Sequence, residues 1–84
     1  MKIVYTKHAQ QKFKFLESIG WKFTKSDLEA ALEKPDDSGV DVERKAEFVL
    51  KEIDERHNLR VIYRKNDGIM TVITFYPTRK GRYN

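Results

Sequence analysis

Close to residue 44 the spacing of the apolar residues changes period. Before it, apolar residues recur at helical spacing; after it they alternate, with Ala46, Phe48 and Leu50 on one side of a strand through Ile53. Both periods sit inside one chain of 84 residues, enough for a single core that buries about 60% of the unfolded surface. Residues 1–84 therefore form one α+β domain, and a multidomain enzyme is excluded.

In the helical half, Ile3-Val4-Tyr5 is a short β-prone run, and Thr6 after it caps a helix predicted over residues 7–19 that closes at Gly20. Ala9, Phe13 and Leu16 fall on one line of that helix, with Phe15 and Ile19 widening the stripe and Lys7, Gln10, Gln11, Lys14 and Glu17 opposite. A second helix starts at Thr24, stapled by Phe23 and Leu28, buries Leu28, Ala31 and Leu32, and ends at Pro35. Asp36-Asp37-Ser38-Gly39 reads as a loop by composition. In the alternating half, residues 59–65 and 69–76 are strands joined through Asn66-Asp67-Gly68, a hairpin signal because Asp-Gly tolerates positive φ. With Asp67 and Gly68 as the loop, Tyr63 faces Val72, Arg64 faces Thr71 and Val61 faces Thr74. One face then carries Leu59, Val61, Tyr63, Val72 and Thr74; the other mixes Arg60 and Arg64 with Ile62, Ile73 and Phe75, so it is neither plain core nor plain solvent. The expected order is β-α-α-β-β-β, two helices packed on an antiparallel sheet.

With no Cys, disulfides, thiolate metal sites and a Cys nucleophile are excluded. Apolar runs such as Phe48-Val49-Leu50 fall far short of a membrane span, and Lys2-Ile3-Val4 followed by polar residues is unlike a signal peptide, so a cytoplasmic location without membrane contact is expected. Charge is unevenly spread: residues 1–16 carry four Lys and no acid, residues 17–55 six bases and twelve acids, and residues 56–84 seven bases against Asp67 alone. If the two ends meet in space they make one positive surface suited to nucleic acid; the plainer reading is a solvated basic surface that aids solubility.

No glycine-rich phosphate loop, histidine metal spacing or serine nucleophile elbow is present, so neither metal nor cofactor is expected. Imidazole is the side chain that ordinarily titrates near neutral pH, and the sequence has two, His8 and His57. His8 lies in the first helical turn at the edge of the buried stripe, with Lys12 one turn later; it is either a packing residue or an acid–base group at the rim of a basic surface. His57, in the polar turn Asp54-Glu55-Arg56-His57-Asn58, is expected to be solvated and without a role. After Tyr76-Pro77 the tail holds Arg79, Lys80, Arg82 and Tyr83, the side-chain types that can stabilise a phosphorane, move a proton or stack on a base.

The opening Tyr5-Thr6-Lys7-His8-Ala9-Gln10-Gln11-Lys12 resembles the His-Ala-x-x-Arg/Lys start of a family of small prokaryotic domains of unknown function within the RelE/ParE-like toxin superfamily. Arg60-Val61-Ile62-Tyr63-Arg64, Ile73-Thr74-Phe75-Tyr76-Pro77 and the ending Arg79-Lys80-Gly81-Arg82-Tyr83 resemble it too, so the similarity spans nearly the whole chain. The resemblance implies the compact fold of metal-independent toxin ribonucleases, with an antitoxin as protein partner and RNA, free or ribosome-bound, on the uncovered sheet face and tail. It matches His8, Arg64, Arg82 and Tyr83 to the catalytic set, leaving Lys7, Lys12, Arg60, Arg79 and Lys80 as RNA contacts. His8 departs from ribosome-dependent relatives, whose acids and bases lie mainly on strands and tail. Two other readings stand beside the ribonuclease: a non-catalytic basic module for nucleic acid or an acidic protein, and a ParE-like inhibitor of a DNA enzyme.

Overall fold

A computed structural model describes residues 2–81. Seven elements follow one another: β1 (Lys2–Tyr5), α1 (Lys7–Ser18), α2 (Lys25–Glu33), β2 (Asp37–Asp41), β3 (Ala46–Glu52), β4 (His57–Asn66) and β5 (Ile69–Arg79). The five strands make one sheet in the order β1-β5-β4-β3-β2, with β1 parallel to β5 and every other pair antiparallel. The α+β class and the two N-terminal helices are as expected. The strand count and the all-antiparallel sheet are corrected: four strands follow the helices, and the sheet is mixed.

The extra strand is β2, built from the acidic stretch expected to be a loop. Gly39 is what makes it fit. It pairs with Phe48, whose ring lies over it so closely that a Cβ at Gly39 would stand 2.7 Å from Cε2 and Cζ of that ring. The turn instead falls at residues 42–45, where Lys45 takes φ +53° and Asp41 Oδ1 accepts from the Arg44 backbone N–H at 3.0 Å. The last strand runs on to Arg79 through Pro77. A proline is tolerated there because β1 pairs only with residues 69–72, leaving β5 as an edge on that side beyond Val72.

Helix starts follow the capping chemistry. Thr6 Oγ1 accepts from Ala9 N–H at 3.1 Å, and Thr24 and Asp27 form a reciprocal capping box. Gly20, at φ +97°, turns the chain after α1, and Trp21 N–H donates back to the Leu16 carbonyl at 2.8 Å. Ala9 and Leu16 of α1 and Leu28, Ala31 and Leu32 of α2 pack on Val49, Leu59, Val61, Tyr63, Val72 and Phe75. Phe13 seals the seam, its ring 4.6 Å from that of Phe75 and 5.8 Å from that of Tyr5. Phe15 and Ile19, expected in the buried stripe, are 57% and 58% exposed, so α1 buries a narrower face than its sequence implies.

The hairpin register needs one correction, which decides the site. Tyr63 pairs with Val72 and Arg64 with Thr71 as expected, but Ile62 pairs with Thr74 and Val61 with Phe75. Ile73 is therefore an extra residue in β5, a bulge. Beyond it the alternation is reversed: Phe75 turns into the core under the helices, and Thr74 turns to the opposite face. Among the described residues no helix is long and apolar enough to cross a membrane.

Candidate nucleic-acid interface

The helices cover one face of the sheet. By strand alternation the other carries Gly39 and Asp41 of β2, Ala46, Phe48 and Leu50 of β3, Arg60, Ile62 and Arg64 of β4, and Thr74 and Tyr76 of β5. Arg60 is buried here, its guanidinium carbon 3.9 Å from the Phe48 ring centroid and its Nη2 3.5 Å from Asp41 Oδ2. Arg44 reaches the same carboxylate at 2.9 Å. The Arg44 backbone N–H, then its guanidinium, then Arg60 hold the Asp41 carboxyl below its usual range, against the opposing effect of burial. In return Asp41, with the Tyr76 hydroxyl contributing, makes Arg44 harder to deprotonate than an ordinary arginine. The face is neither core nor solvent, as expected, with buried Ile62 and Arg60 beside exposed Arg64, but Phe75, expected on it, lies in the core on the helix side.

His8 enters this face from its edge. Because β1 stops opposite Val72, Thr6 N–H donates to the Val72 carbonyl at 3.1 Å, and the first turn of α1 lies where a longer β1 would have continued. Thr6 Oγ1 donates to the carbonyl of the bulged Ile73 at 3.0 Å. One residue further along β5, Thr74 Oγ1 lies 3.2 Å from His8 Nε2. Lys12, a helical turn after His8, sets its Nζ 5.9 Å from the Tyr76 ring centroid and 5.5 Å from that of Phe15. His8, Gln11, Lys12 and Phe15 line an open hollow of about 320 Å³. His8 is an exposed side chain with a polar anchor, not the half-buried packing residue that was its plainer reading.

The expected site residues divide into three groups. His8, Lys12 and exposed Lys7 share the start of α1. Arg60 and Arg64 lie on the open face, Arg64 donating from Nη2 to the Arg44 carbonyl at 2.9 Å, so that its head is across β4 from the hollow. Arg79 ends β5, five residues beyond Thr74 and thus about 17 Å along the strand, and Lys80 follows it. There Lys80 N–H donates to the Arg56 carbonyl at 2.8 Å, and its ammonium pairs with Glu52. Arg82 and Tyr83 lie outside the described residues. The two basic ends thus share a strand, but Arg79 and Lys80 are not beside His8.

Three residues that matter here were missed. Arg44 and Asp41 lie just beyond Asp36-Asp37-Ser38-Gly39, the stretch that reads as a loop by composition. Tyr76 was read as a strand end, though its place two residues after Thr74 puts it on the face of the bulge. His57 was expected to be solvated; instead its Nδ1 lies 3.0 Å from Asp54 Oδ1, and its ring stands edge-on to Trp21 at 5.0 Å. Among the described residues no group of three or more His, Cys, Asp or Glu is placed to hold a metal ion. Comparison with known proteins gives no match, whether to a family model, to a curated protein or to a solved structure.

Proposed function

We propose that this protein is a toxin-like endoribonuclease that cleaves RNA through its own 2′-hydroxyl, a reaction that needs no metal. The observation that carries the reading is His8 anchored at 3.2 Å by Thr74 on the lip of a sheet face that also bears Tyr76 and Arg64, with Arg44 reaching Asp41 on it from the turn after β2. Cleavage of this kind needs a base for the 2′-hydroxyl, cations for the charge gathering on the phosphorane, and a proton for the departing 5′-oxygen. With Nε2 engaged by Thr74, Nδ1 of His8 is the nitrogen left for proton transfer. It takes the 2′-hydroxyl proton as the 2′-oxygen bonds to phosphorus, the bond to the 5′-oxygen breaks, and that oxygen gains a proton from Lys12 or water. Lys12 is the cation beside the reacting phosphate, Arg64 across β4 is placed for a more distant phosphate of the strand, and Tyr76 and Phe15 offer rings for the flanking bases. Arg60 serves by holding Asp41 and Phe48 in place, since it is buried. An antitoxin protein is the partner that the resemblance to toxins implies.

The test is single-turnover cleavage of a defined RNA, free and ribosome-bound, in EDTA. The expected products end in a 2′,3′-cyclic or 3′-phosphate, and His8→Ala slows the reaction by about 10²–10⁴-fold while keeping its circular dichroism. No cleavage by the wild type, or a folded His8→Ala variant as fast as wild type, overturns the assignment and leaves a basic binding module in its place.

A further inference from the structure

At the end of the sheet remote from His8, on the helix side, His57 and Arg79 stand directly opposite each other in β4 and β5, so their Cβ atoms are about 5 Å apart. Asp54 Oδ1 accepts from the backbone N–H groups of Arg56 and His57, both at 2.8 Å, and from the imidazole Nδ1–H at 3.0 Å. Those bonds, the one from Arg56 first, keep the Asp54 carboxyl below its ordinary range. An ionised carboxylate accepts only, so Nδ1 must carry its proton and Nε2 is the nitrogen left for a ligand. The Trp21 ring packs T-shaped against the imidazole, and residues 54–57 line an open hollow of about 350 Å³.

We propose that this hollow, together with Arg79 opposite His57 at its border, is a phosphate-monoester site, with Nε2–H of protonated His57 and the guanidinium of Arg79 as the two ligands of the anion. The proposal is independent of RNA cleavage at His8. Charge explains why the ligand is an anion. The groups around the imidazole are Glu52 at the end of β3, Asp54, Glu55 and Arg56 in the turn, and Arg79 and Lys80 at the end of β5, which balance to zero. Lys22, beside Trp21, lines a separate groove with Lys51 and Asp27. The imidazole therefore sets the sign of the local field, neutral when unprotonated and positive when protonated. Among the described residues neither Arg56 nor Arg79 has an ion-pair partner, whereas Lys80 is paired with Glu52. A carboxylate ligand would be satisfied by the guanidinium fork alone; a tetrahedral dianion has oxygens for both Arg79 and Nε2–H.

The test is a sulfate titration followed by NMR of the imidazole and backbone signals, because sulfate stays a dianion from pH 6 to pH 8. The expected shifts centre on His57 and Arg79. Affinity falls about 10- to 100-fold from pH 6 to pH 8, the worth of one charge-assisted hydrogen bond, and His57→Gln shows the same loss at pH 6 with no remaining pH dependence. Arg79→Ala loses affinity at both pH values, whereas Lys65→Ala, at the other end of β4, binds within twofold of wild type. Uridine 3′-monophosphate binds with the same dependence on His57 and uridine does not; a short RNA with a terminal phosphate, run alongside, tells a strand end from a free nucleotide. Sulfate shifts that map elsewhere, equal affinity at the two pH values, or a folded His57→Gln that binds like wild type overturns the site.

Discussion

Replacing Thr6 by Ala removes one hydroxyl that does two jobs. It accepts from Ala9 N–H as the cap of α1, and it donates to the carbonyl of Ile73, the residue that the bulge leaves without a partner on β4. Loss of an N-cap costs about 1 kcal/mol, and loss of the second bond about 1 kcal/mol more, because the carbonyl loses that partner at a partly buried position. The expected destabilisation is therefore about 2 kcal/mol, which for a domain of this size lowers Tm by roughly 8–16 °C. Urea unfolding followed by Trp21 fluorescence and by far-UV circular dichroism measures it, with Thr6→Ser as the decisive comparison. Serine keeps both hydrogen bonds and should recover most of the loss, while Thr6→Val, which keeps shape alone, should not. A Thr6→Ala variant within 0.5 kcal/mol of wild type, or a Thr6→Ser variant as unstable as Thr6→Ala, refutes the double role. The same variant should lose amide protection at Ala9 first, since that N–H is the one uncapped.

Gly39→Ala puts a methyl where the Phe48 ring lies, so the ring must move and with it the arginine stacked on it; a loss of about 1–3 kcal/mol is expected by chemical denaturation, and a neutral result would show that the ring yields freely. The carboxyl of Asp41 is depressed in the folded state, so between its folded and unfolded values the unfolded chain holds more protons and stability rises with pH. That contribution is complete above the ordinary carboxylate value and is lost as pH falls through the folded one. Asp41→Asn should accordingly be less stable at neutral pH and show a shallower fall of Tm on acidification. An unchanged acid slope would remove Asp41 from the account.

What was legible in the sequence was whatever a local signal carries. Thr6, Gly20, Thr24 and Pro35 mark helix ends by short-range hydrogen bonding and backbone sterics, and those positions hold. Asp67-Gly68 sets the near end of the hairpin, and Tyr63–Val72 is correct for that reason. Where the structure departs, the cause is distant in the chain. Gly39 reads as a turn residue until Phe48 is known to lie across it, and the bulge at Ile73 is stabilised by a hydroxyl 67 residues away. The candidate site inherits this split. His8 was visible as the one imidazole among lysines, while Arg44, Asp41 and Tyr76 come together only because β2 joins the sheet and β5 changes phase.

The place of β5 in the sheet has a consequence for how the protein is made. It is the last of the seven elements in the chain, yet it lies between β1 and β4, and both Thr6 and His8 take their partners from it across 67 and 66 residues. While the polypeptide is still growing, neither β1 nor the start of α1 has a seat, and the apolar face of α1 has no Phe75 to cover. Contacts that span so much of the chain are slow to form because the intervening loop must first be closed. A nascent chain stopped before residue 69 therefore has no Thr74 to anchor His8, and the candidate site is assembled only once β5 has been made.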